Sequence, residues 1–512
     1  MKKERTIRMA ILLVIFVIAI IVFSYCTNQG SADMAADMST ASLPTISFEM
    51  NGKEVNMLVG HKREMNMASM RDTIVVLGEK GTLTMNIHHA ESSVDGITYE
   101  AYSLDGKEQL LKEEVESVKK SVKLQLKTAV NKEKEAVLKI TLRRDNGDVY
   151  YYTRITENQG YHVKECVDYA QQFHNNLIHK KGEDDVRKVL ETNEAGESTT
   201  FNHVTIHSSL KRVMWGGLKP KVLGTPLLKV TEATKAYTCV QFQYRVQCQG
   251  DNNKEEIYVV KEFLKVAYGK ERMYLLEYDR KMEEEFQTSN VVLSEKGIIL
   301  GVADGNTPFK ANPEGTIVAF VQANELWSYN KKDNKFALVF SFAASEKEDI
   351  RHHTDNHTLR ILSMEDNGNM TFSVSGYMNR GMHEGESGIS IYYYNMEQNV
   401  IEEEAFIPTK ESLAVIEKDI SRLAYYNKEQ DVLYVMAEGE LLKIGGKEEE
   451  RQVLMEGLLE GQYVTSDDGH LFAYQKEENK KNVTEVWNFT TDKISKIKAE
   501  EGEKIIPLGF VG

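Results

Sequence analysis

The most chemically dense stretch of this sequence is a polar loop near residue 380. It carries the side chains that we predict to form a binding site, namely Asn379, Arg380, His383, Glu384 and Glu386. Together they offer hydrogen-bond donors, hydrogen-bond acceptors and one imidazole that titrates near neutral pH. The stretch joins two predicted strands, where a turn of two to five residues would suffice, and long loops often carry function. A purely structural connection between the strands is the alternative interpretation.

The same loop does not match two familiar catalytic motifs. Ser387 stands where the zinc-protease helix motif places its second histidine after His383-Glu384. Ser387 also lacks the glycine two residues later that a nucleophile elbow requires. Glycine-rich phosphate motifs and an acidic calcium loop are missing from the sequence as well. We therefore predict no catalytic residue and no cofactor, and the enzyme class stays open.

A second group of polar residues has the composition of a weak metal site. His352, His353, Asp355 and His357 supply three imidazoles and one carboxylate within six residues. Nothing in their spacing fixes a coordination geometry, and the surrounding segment is typical of a solvated connection. We predict no metal site here and keep these four residues as weak candidates.

The composition describes an acidic globular protein of several domains. The chain has 512 residues, a net charge of −15 and 41% hydrophobic residues. Such an acidic chain repels phosphate backbones, so we exclude nucleic acid as a partner. The four cysteines are too few for a disulfide framework, and we expect buried free thiols.

The first 43 residues determine the predicted compartment. A basic segment (1–8) precedes an uncharged apolar run (9–26), which as a helix would be about 27 Å long, close to the thickness of a hydrocarbon core. Basic residues on that side predict a cytoplasmic N-terminus and an extracytoplasmic bulk, with residues 27–43 as a flexible tether. A cleaved signal peptide and a lipoprotein modified at Cys26 are the alternatives, and both also export the chain. The predicted location is the cell membrane, crossed once.

The remainder predicts a mainly β chain of three parts. Alternating apolar and polar residues with Asn-Gly and Asp-Gly turns predict about seven strands and an immunoglobulin-like sandwich over 44–156, in which 110–134 could instead hold a helix. Apolar spacings of three and four then predict a helix over Val163–Ile178 and a second from Glu183. Long strands follow, which gives an α+β module over 157–285.

A repeat dominates residues 300–512 and predicts β-propeller blades. A polar turn followed by three strands recurs four times, with turns at Gly315, Gly368, Gln430 and Gly469, about 40 to 60 residues apart. Residues 505–512 read as the first strand of a fifth unit, so we expect the propeller to be incomplete in this chain. The alternative is that four units close with a strand from elsewhere in the chain.

Two resemblances extend this interpretation. The turn 312–315, with Ala319-Phe320-Val321 and Leu326-Trp327-Ser328-Tyr329 after it, resembles blades of TolB-type propellers. The segments 213–217 and 376–388 resemble uncharacterised membrane-anchored ectodomain proteins of clostridia-like Gram-positive bacteria. The second resemblance implies a location at the cell envelope and no particular chemistry.

These observations favour a membrane-anchored binding, scaffolding or sensing protein with a protein or glycan ligand. The first alternative is an envelope hydrolase whose active site lies in the propeller channel or in a missing C-terminal part. The second is an accessory regulator that contacts a membrane sensor kinase.

The predicted topology gives a direct test. Alkaline phosphatase fused after residue 43 should be active, because the enzyme needs an oxidising compartment and the basic flank keeps the N-terminus inside. The matched control is the same fusion with residues 9–26 deleted, which should be inactive. Activity of both fusions, or of neither, would contradict the predicted topology.

Overall fold

The structure is a computed structural model of the chain. It describes residues 33–34, 38 and 40–510, except 51, 79, 89–92, 133–134, 158–159, 197–199, 251–253, 291, 295–296, 301–306, 344–350, 352–355, 414, 417–422, 438, 446–450, 459–460, 467, 479–480 and 498–504. The predicted anchor at 9–26, the cytoplasmic segment and Cys26 lie outside the described residues. Among the residues that are described, no helix combines the length and the apolar character needed to cross a membrane.

The N-terminal part is built from two sheets, as the alternating pattern predicts. A two-residue strand comes first, and nine strands and one short helix follow it: β1 (Asp33–Met34), β2 (Thr45–Met50), β3 (Lys53–Leu58), β4 (Ile74–Val76), β5 (Thr82–His88), β6 (Gly96–Tyr102), β7 (Gln109–Val115), β8 (Ser121–Gln125), α1 (Lys127–Lys132), β9 (Glu135–Arg143) and β10 (Val149–Thr156).

The strand order is β3-β2-β5-β8 in one sheet and β4-β10-β9-β6-β7 in the other. All seven predicted strands form, and the sequence interpretation missed β3 and β7. The lysine-rich stretch 110–134 contains two strands, and its only described helix is the short α1. The prediction of a mainly β chain is therefore confirmed, whereas the immunoglobulin-like topology stays a prediction.

The second part places a helix on one face of a long-stranded sheet. Its elements are α2 (Val163–His179), α3 (Glu183–Arg187), β11 (His203–Thr205), α4 (Leu210–Val213), β12 (Lys221–Ala233), β13 (Thr238–Gln249), β14 (Glu255–Tyr268) and β15 (Met273–Glu284). The sheet is antiparallel throughout, with the order β11-β15-β14-β13-β12. The apolar stripe of α2, which includes Cys166, Phe173 and Leu177, is buried against this sheet, as its periodicity predicts.

The sandwich and the α+β module share one hydrophobic core. A single continuous cluster of buried side chains runs from Leu43 to Met282. Buried Asn56 joins the two parts, because its Nδ2 donates to the carbonyl of Ile74 at 2.8 Å and its Oδ1 accepts from the backbone N–H of Val230 at 2.7 Å. A buried amide with both ends satisfied fixes the position of β12 beside the sandwich.

After a small hairpin of β16 (Val292–Ser294) and β17 (Gly297–Ile299), the third part contains four successive sheets, each with four consecutive strands of this part, and β1 adds a fifth strand to the first sheet. The strands are β18 (Phe309–Ala311), β19 (Ile317–Gln322), β20 (Glu325–Asn330), β21 (Lys335–Phe340), β22 (His357–Met364), β23 (Met370–Tyr377), β24 (Ser387–Asn395), β25 (Val400–Pro408), β26 (Ala424–Asn427), β27 (Val432–Ala437), β28 (Glu440–Gly445), β29 (Gln452–Met455), β30 (Tyr463–Thr465), β31 (Leu471–Glu478), β32 (Lys481–Asn488) and β33 (Lys493–Ile497).

Each of these sheets is an antiparallel meander in chain order, which is the arrangement of a propeller blade. The turn before the second strand of each sheet contains a residue with positive φ, namely Gly315, Gly368, Asp431 or Gly469. Three separate clusters of buried side chains pack the first sheet on the second, the second on the third and the third on the fourth. The repeat predicted from the sequence is thus present in all four units.

Both ends of the described chain pack against these blades. β1 pairs in parallel with β21, the outer strand of the first blade. We expected residues 505–512 to open a fifth unit, but residues 505–510 form no strand. The carbonyl of Ile505 instead accepts a hydrogen bond from Thr484 Oγ1 at 2.8 Å.

The cysteines have the state that the sequence predicts. Cys166, Cys239 and Cys248 are buried free thiols.

Phe286 anchors the first blade to the α+β module. It follows β15 directly, and its ring centroid lies 5.0 Å from that of Phe320, 4.8 Å from that of Trp327 and 5.3 Å from that of Phe336. Edge-to-face contacts of this kind contribute beyond the area that they bury. The orientation of the blade relative to the long sheet therefore depends on this cluster.

Replacing Phe286 with alanine should lower the free energy of unfolding by about 3–5 kcal/mol, because it leaves a cavity in an aromatic cluster. Guanidinium unfolding followed by tryptophan fluorescence measures this loss, since Trp327 reports on the same cluster. The matched control is Phe309→Ala, which removes a ring that is 68% exposed and should cost less than about 0.5 kcal/mol. Equal losses in the two variants would contradict this role of Phe286.

Candidate functional site

The polar loop predicted as a binding site lies between β23 and β24, where it contacts the start of the sandwich. Buried Glu384 makes most of this contact. Its Oε1 accepts hydrogen bonds from the backbone N–H of Ser42 at 2.6 Å and of Leu43 at 2.8 Å, and its Oε2 accepts one from Ser42 Oγ at 2.7 Å. Ala41 and Leu43 are buried as well. The end of the predicted flexible tether is therefore fixed against the second blade.

Neighbouring residues of the loop strengthen this junction. Asn379 donates from Nδ2 to the carbonyl of Arg351 at 2.9 Å, and Arg351 donates from Nη1 to the carbonyl of Leu43 at 3.1 Å. The carboxylate of Glu386 lies 2.9 Å from the guanidinium of Arg63 in the sandwich. Arg380 is almost completely buried. The contacts of Arg351 with Leu43 and of Glu386 with Arg63 join segments more than 300 residues apart in the chain.

Gly385 is required at the point of closest approach. Its φ is +80°, in the left-handed region, and a Cβ added there would lie 2.3 Å from Cδ1 of Leu43. Its carbonyl accepts a hydrogen bond from the backbone N–H of Lys62 at 2.8 Å. The glycine in this motif therefore allows the loop to contact the sandwich.

His383 and its neighbour Met382 lie at the outer side of the loop. The imidazole stacks on Phe406 with centroids 3.7 Å apart, and its Nε2 lies 2.7 Å from Oε1 of Glu403. Met382 is 84% exposed. Each of the five predicted residues thus either contacts another residue of the chain or is buried in the structure. Recognition of an outside ligand by these side chains stays a prediction.

The weak metal candidates are only partly visible. His352, His353 and Asp355 lie outside the described residues. His357 is buried and packs edge-on against Phe342, with centroids 4.7 Å apart. In the described part of the chain, no three His, Cys, Asp or Glu side chains are close enough together to hold a metal ion.

A second candidate site is a cleft where the three parts of the chain meet. Its volume is about 450 Å³, which is within the range of small-molecule sites. Asp72 and Thr73 of the sandwich line one side, Asn356 at the entry to the second blade lines another, and the long sheet of β12 to β15 forms the floor.

Strand alternation determines the side chains of the floor. Along β13, Phe242 and Tyr244 belong to the shared core, whereas Gln241 lies on the opposite face and is exposed to the cleft. Pairing register places Gln243 of β13 opposite Lys261 of β14, and Lys261 opposite Lys281 of β15. Directly opposed residues of antiparallel strands point to the same face. One row of the floor is therefore polar and rich in nitrogen donors.

Gln243 is a buried amide that faces the cleft. Its side chain is 8% exposed, and its Nε2 has no hydrogen-bond partner in the structure. An unsatisfied buried amide donor costs about 1–3 kcal/mol. This atom marks a position at which a ligand acceptor would gain a hydrogen bond.

Acidic groups at the edge of the cleft have partners of their own. Burial raises the pKa of Asp72, and the nearby cations Lys229 and Arg154 act in the opposite direction. Asp279, in the next row of the floor, accepts a hydrogen bond from His203 Nε2 at 2.6 Å. Asp279 thus has a hydrogen-bond partner within the chain, and Asp72 has cationic neighbours.

A buried network stiffens the sheet below the cleft. Glu262 lies 2.6 Å from His174 Nδ1 of α2 and accepts a hydrogen bond from the Tyr278 hydroxyl at 3.1 Å. Burial alone would raise the pKa of Glu262, but the neighbouring His174 holds it below its usual value. Arg280 stacks over Trp215 at 3.9 Å and donates to the carbonyl of Val213 at 3.0 Å. A floor supported in this way keeps its side chains in fixed positions.

The sequence interpretation missed this cleft. A signal was present, because Gln241, Gln243 and Arg245 alternate with apolar residues along a twelve-residue strand, so one face had to be polar. The partners of that face come from β12, β14 and β15, and their register is not visible in the alternation of a single strand.

Comparison with known proteins adds little to this geometry. No protein-family model matches the chain, and no curated protein matches it significantly. Similar solved structures include a functionally unknown protein from Desulfotomaculum acetoxidans, which is 11% identical to this chain. The match covers 50% of this chain and 75% of that chain, with a TM-score of 0.22.

Two further similar structures are a putative TolB and the extracellular domain of a putative one component system. The putative TolB from Agrobacterium tumefaciens has 8% identity, covers 47% of this chain and 76% of its own, and has a TM-score of 0.21. The extracellular domain of a putative one component system from B. thetaiotaomicron has 11% identity and a TM-score of 0.21, and the match covers 56% of this chain and 34% of that chain. TM-scores this low carry no argument about the fold or function of this chain.

The role of Glu384 leads to a prediction about the tether. Glu384→Ala removes the acceptor for three donors, and bonds to a charged group contribute about 1.5–3 kcal/mol each. The amides of Ser42 and Leu43 should therefore exchange hydrogen much faster, as measured by mass spectrometry of a peptide covering 38–50. Glu402→Ala, at an exposed position of the same blade, is the control. Unchanged exchange in Glu384→Ala would show that this contact does not hold the tether.

Proposed function

We propose that this chain is a membrane-anchored extracytoplasmic protein that binds a ligand in the cleft between the sandwich, the α+β sheet and the second blade. The observation that carries the proposal is the cleft itself. It is about 450 Å³ in volume, and its walls come from all three parts of the chain. Ligand sites occur preferentially at such domain junctions.

The fixed positions of the walls support binding in a preformed site. Asn56 holds the α+β sheet beside the sandwich, and Glu384 holds the second blade against the start of the same sandwich. The aromatic cluster around Phe286 fixes the first blade to the end of the sheet. A ligand that enters the cleft thus meets groups already in place, which lowers the entropic cost of binding.

The side chains around the cleft favour recognition over covalent catalysis. A nucleophile must lie within hydrogen-bond reach of a base. The hydroxyl of Thr73 instead lies 2.7 Å from that of Thr153, and the nearby imidazole of His203 is engaged with Asp279. Amide, ammonium and hydroxyl groups line the cleft and can orient a polar ligand. The envelope hydrolase and the kinase regulator stay as alternatives.

The cellular context of the proposal comes from the sequence. The apolar run 9–26 and its basic flank predict export and anchoring, and the tether that follows ends in the junction made by Glu384. Because the tether contacts both the blades and the sandwich, a change of domain position on ligand binding would act at its attachment point. This arrangement is suited to a sensing or scaffolding role at the cell envelope.

A substitution that fills the cleft tests the proposal. Gln241→Trp places a large ring on the exposed floor, whereas Gln249→Trp makes the same change on the same face of β13, about 27 Å further along the strand. Calorimetry measures how the full chain in detergent binds two probes. One is a mixture of peptidoglycan fragments released by muramidase, and the other is neutral chitotriose.

We expect at least one of the two probes to bind the wild-type chain and the Gln249→Trp variant. Gln241→Trp should weaken that binding at least about tenfold, because the ring occupies the space of the ligand. Circular dichroism confirms that both variants are folded. Binding that is unchanged in Gln241→Trp, or that is missing for both probes in the wild type, would contradict the cleft as the site.

A further inference from the structure

We infer that the ligand of this cleft carries an oxyanion, a carboxylate or a phosphate group, which is bound by Gln243, Lys261 and Lys281. This inference rests on the proposed function and specifies the chemistry of the ligand. The three side chains form one row across β13, β14 and β15. The site is assigned from their juxtaposition around a single cavity.

The buried amide of Gln243 is the first argument. Its Nε2 lines the cleft without a hydrogen-bond partner, although its side chain is more than nine-tenths buried. An NH₂ group can only donate, so the missing partner must be an acceptor. An oxyanion oxygen satisfies this donor and gains a charge-assisted environment from the adjacent lysine.

The register of the two lysines is the second argument. Lys261 and Lys281 are directly opposed on neighbouring strands, where Cβ atoms are about 4.5–5.5 Å apart. Two ammonium groups on the same face of neighbouring strands are both within reach of one bound anion, and each attracts it. Both lysines line the same cavity as Gln243.

The carboxylates of the cleft lie outside this row. Asp279 is bonded to His203, and Asp72 lies at the sandwich wall near Lys229 and Arg154. The carboxylate of Glu262, whose residue contributes to the floor, is turned toward His174 in the core. The row of Gln243, Lys261 and Lys281 is therefore a part of the cleft in which both charged side chains are cationic.

The site also fits the charge of the whole chain. A net charge of −15 repels large polyanions over long distances, while a cavity of about 450 Å³ admits only a small anionic group or the anionic end of a longer ligand. Within the cleft the local charges dominate, because solvent screens distant groups over about 8–10 Å at physiological ionic strength. A small anion is therefore selected over a nucleic acid.

Calorimetry with simple anions tests the inference. The full chain in detergent is titrated with inorganic phosphate and with citrate at constant ionic strength, and with neutral chitotriose as a third probe. The variants are Lys261→Gln/Lys281→Gln and Gln243→Leu. The matched control is Lys270→Gln, at an exposed position in the turn between β14 and β15.

We expect phosphate, citrate or both to bind the wild type and Lys270→Gln equally. The double lysine variant should bind roughly tenfold or more weakly, since two charge-assisted contacts are lost, and Gln243→Leu should bind several-fold more weakly. A preference for citrate identifies a carboxylate ligand, and a preference for phosphate identifies a phosphate ester. Either preference supports the oxyanion site.

Equal anion affinity in the wild type and the double lysine variant would overturn the inference, as would failure of both anions to bind the wild type. Binding of chitotriose alone, with loss of that binding in Gln241→Trp, would also overturn it while leaving the proposed cleft function intact. Failure of the oxyanion site is thereby distinguished from failure of the cleft itself.

Discussion

Alternation of side chains along three long antiparallel strands is the constraint on which this account depends. β13, β14 and β15 each extend over twelve or more residues, and each must send every second side chain into the core that it shares with α2 and the sandwich. The other face cannot be buried in the same way and becomes the floor of the cleft. A shift of one residue in any pair would exchange the two faces.

The remaining parts of the fold act as walls around this sheet. The sandwich is joined to β12 by Asn56, the first blade to the end of β15 by Phe286, and the second blade to the sandwich by Glu384. The three junctions differ chemically, since one is a buried amide, one an aromatic cluster and one a carboxylate. Together they place Asn356, Thr73 and the floor around one cavity.

Local features of the sequence predicted most of the secondary structure. The apolar spacing of 163–178 predicted α2, and the turns at Gly315, Gly368 and Gly469 marked three of the four blades because each needs a residue with positive φ. Such signals lie within a few residues of each other, so one sequence is enough to reveal them.

The candidate sites were harder to predict, because they depend on residues far apart in the chain. The loop around Glu384 was recognised as chemically unusual, but its partner, Ser42, lies 342 residues away. Through Glu384 the loop forms a junction in the fold, and its predicted binding role stays a prediction. The oxyanion row, conversely, consists of one residue from each of three strands, none of which is unusual by itself.

The central claim is tested most directly by locating an anion in the cleft. Crystals of the full chain soaked in selenate, an oxyanion with a strong anomalous signal, would show its position. The account predicts an anomalous peak within hydrogen-bond distance of Gln243 Nε2 and of the ammonium groups of Lys261 and Lys281. An empty cleft, with selenate bound only elsewhere on the surface, would contradict it.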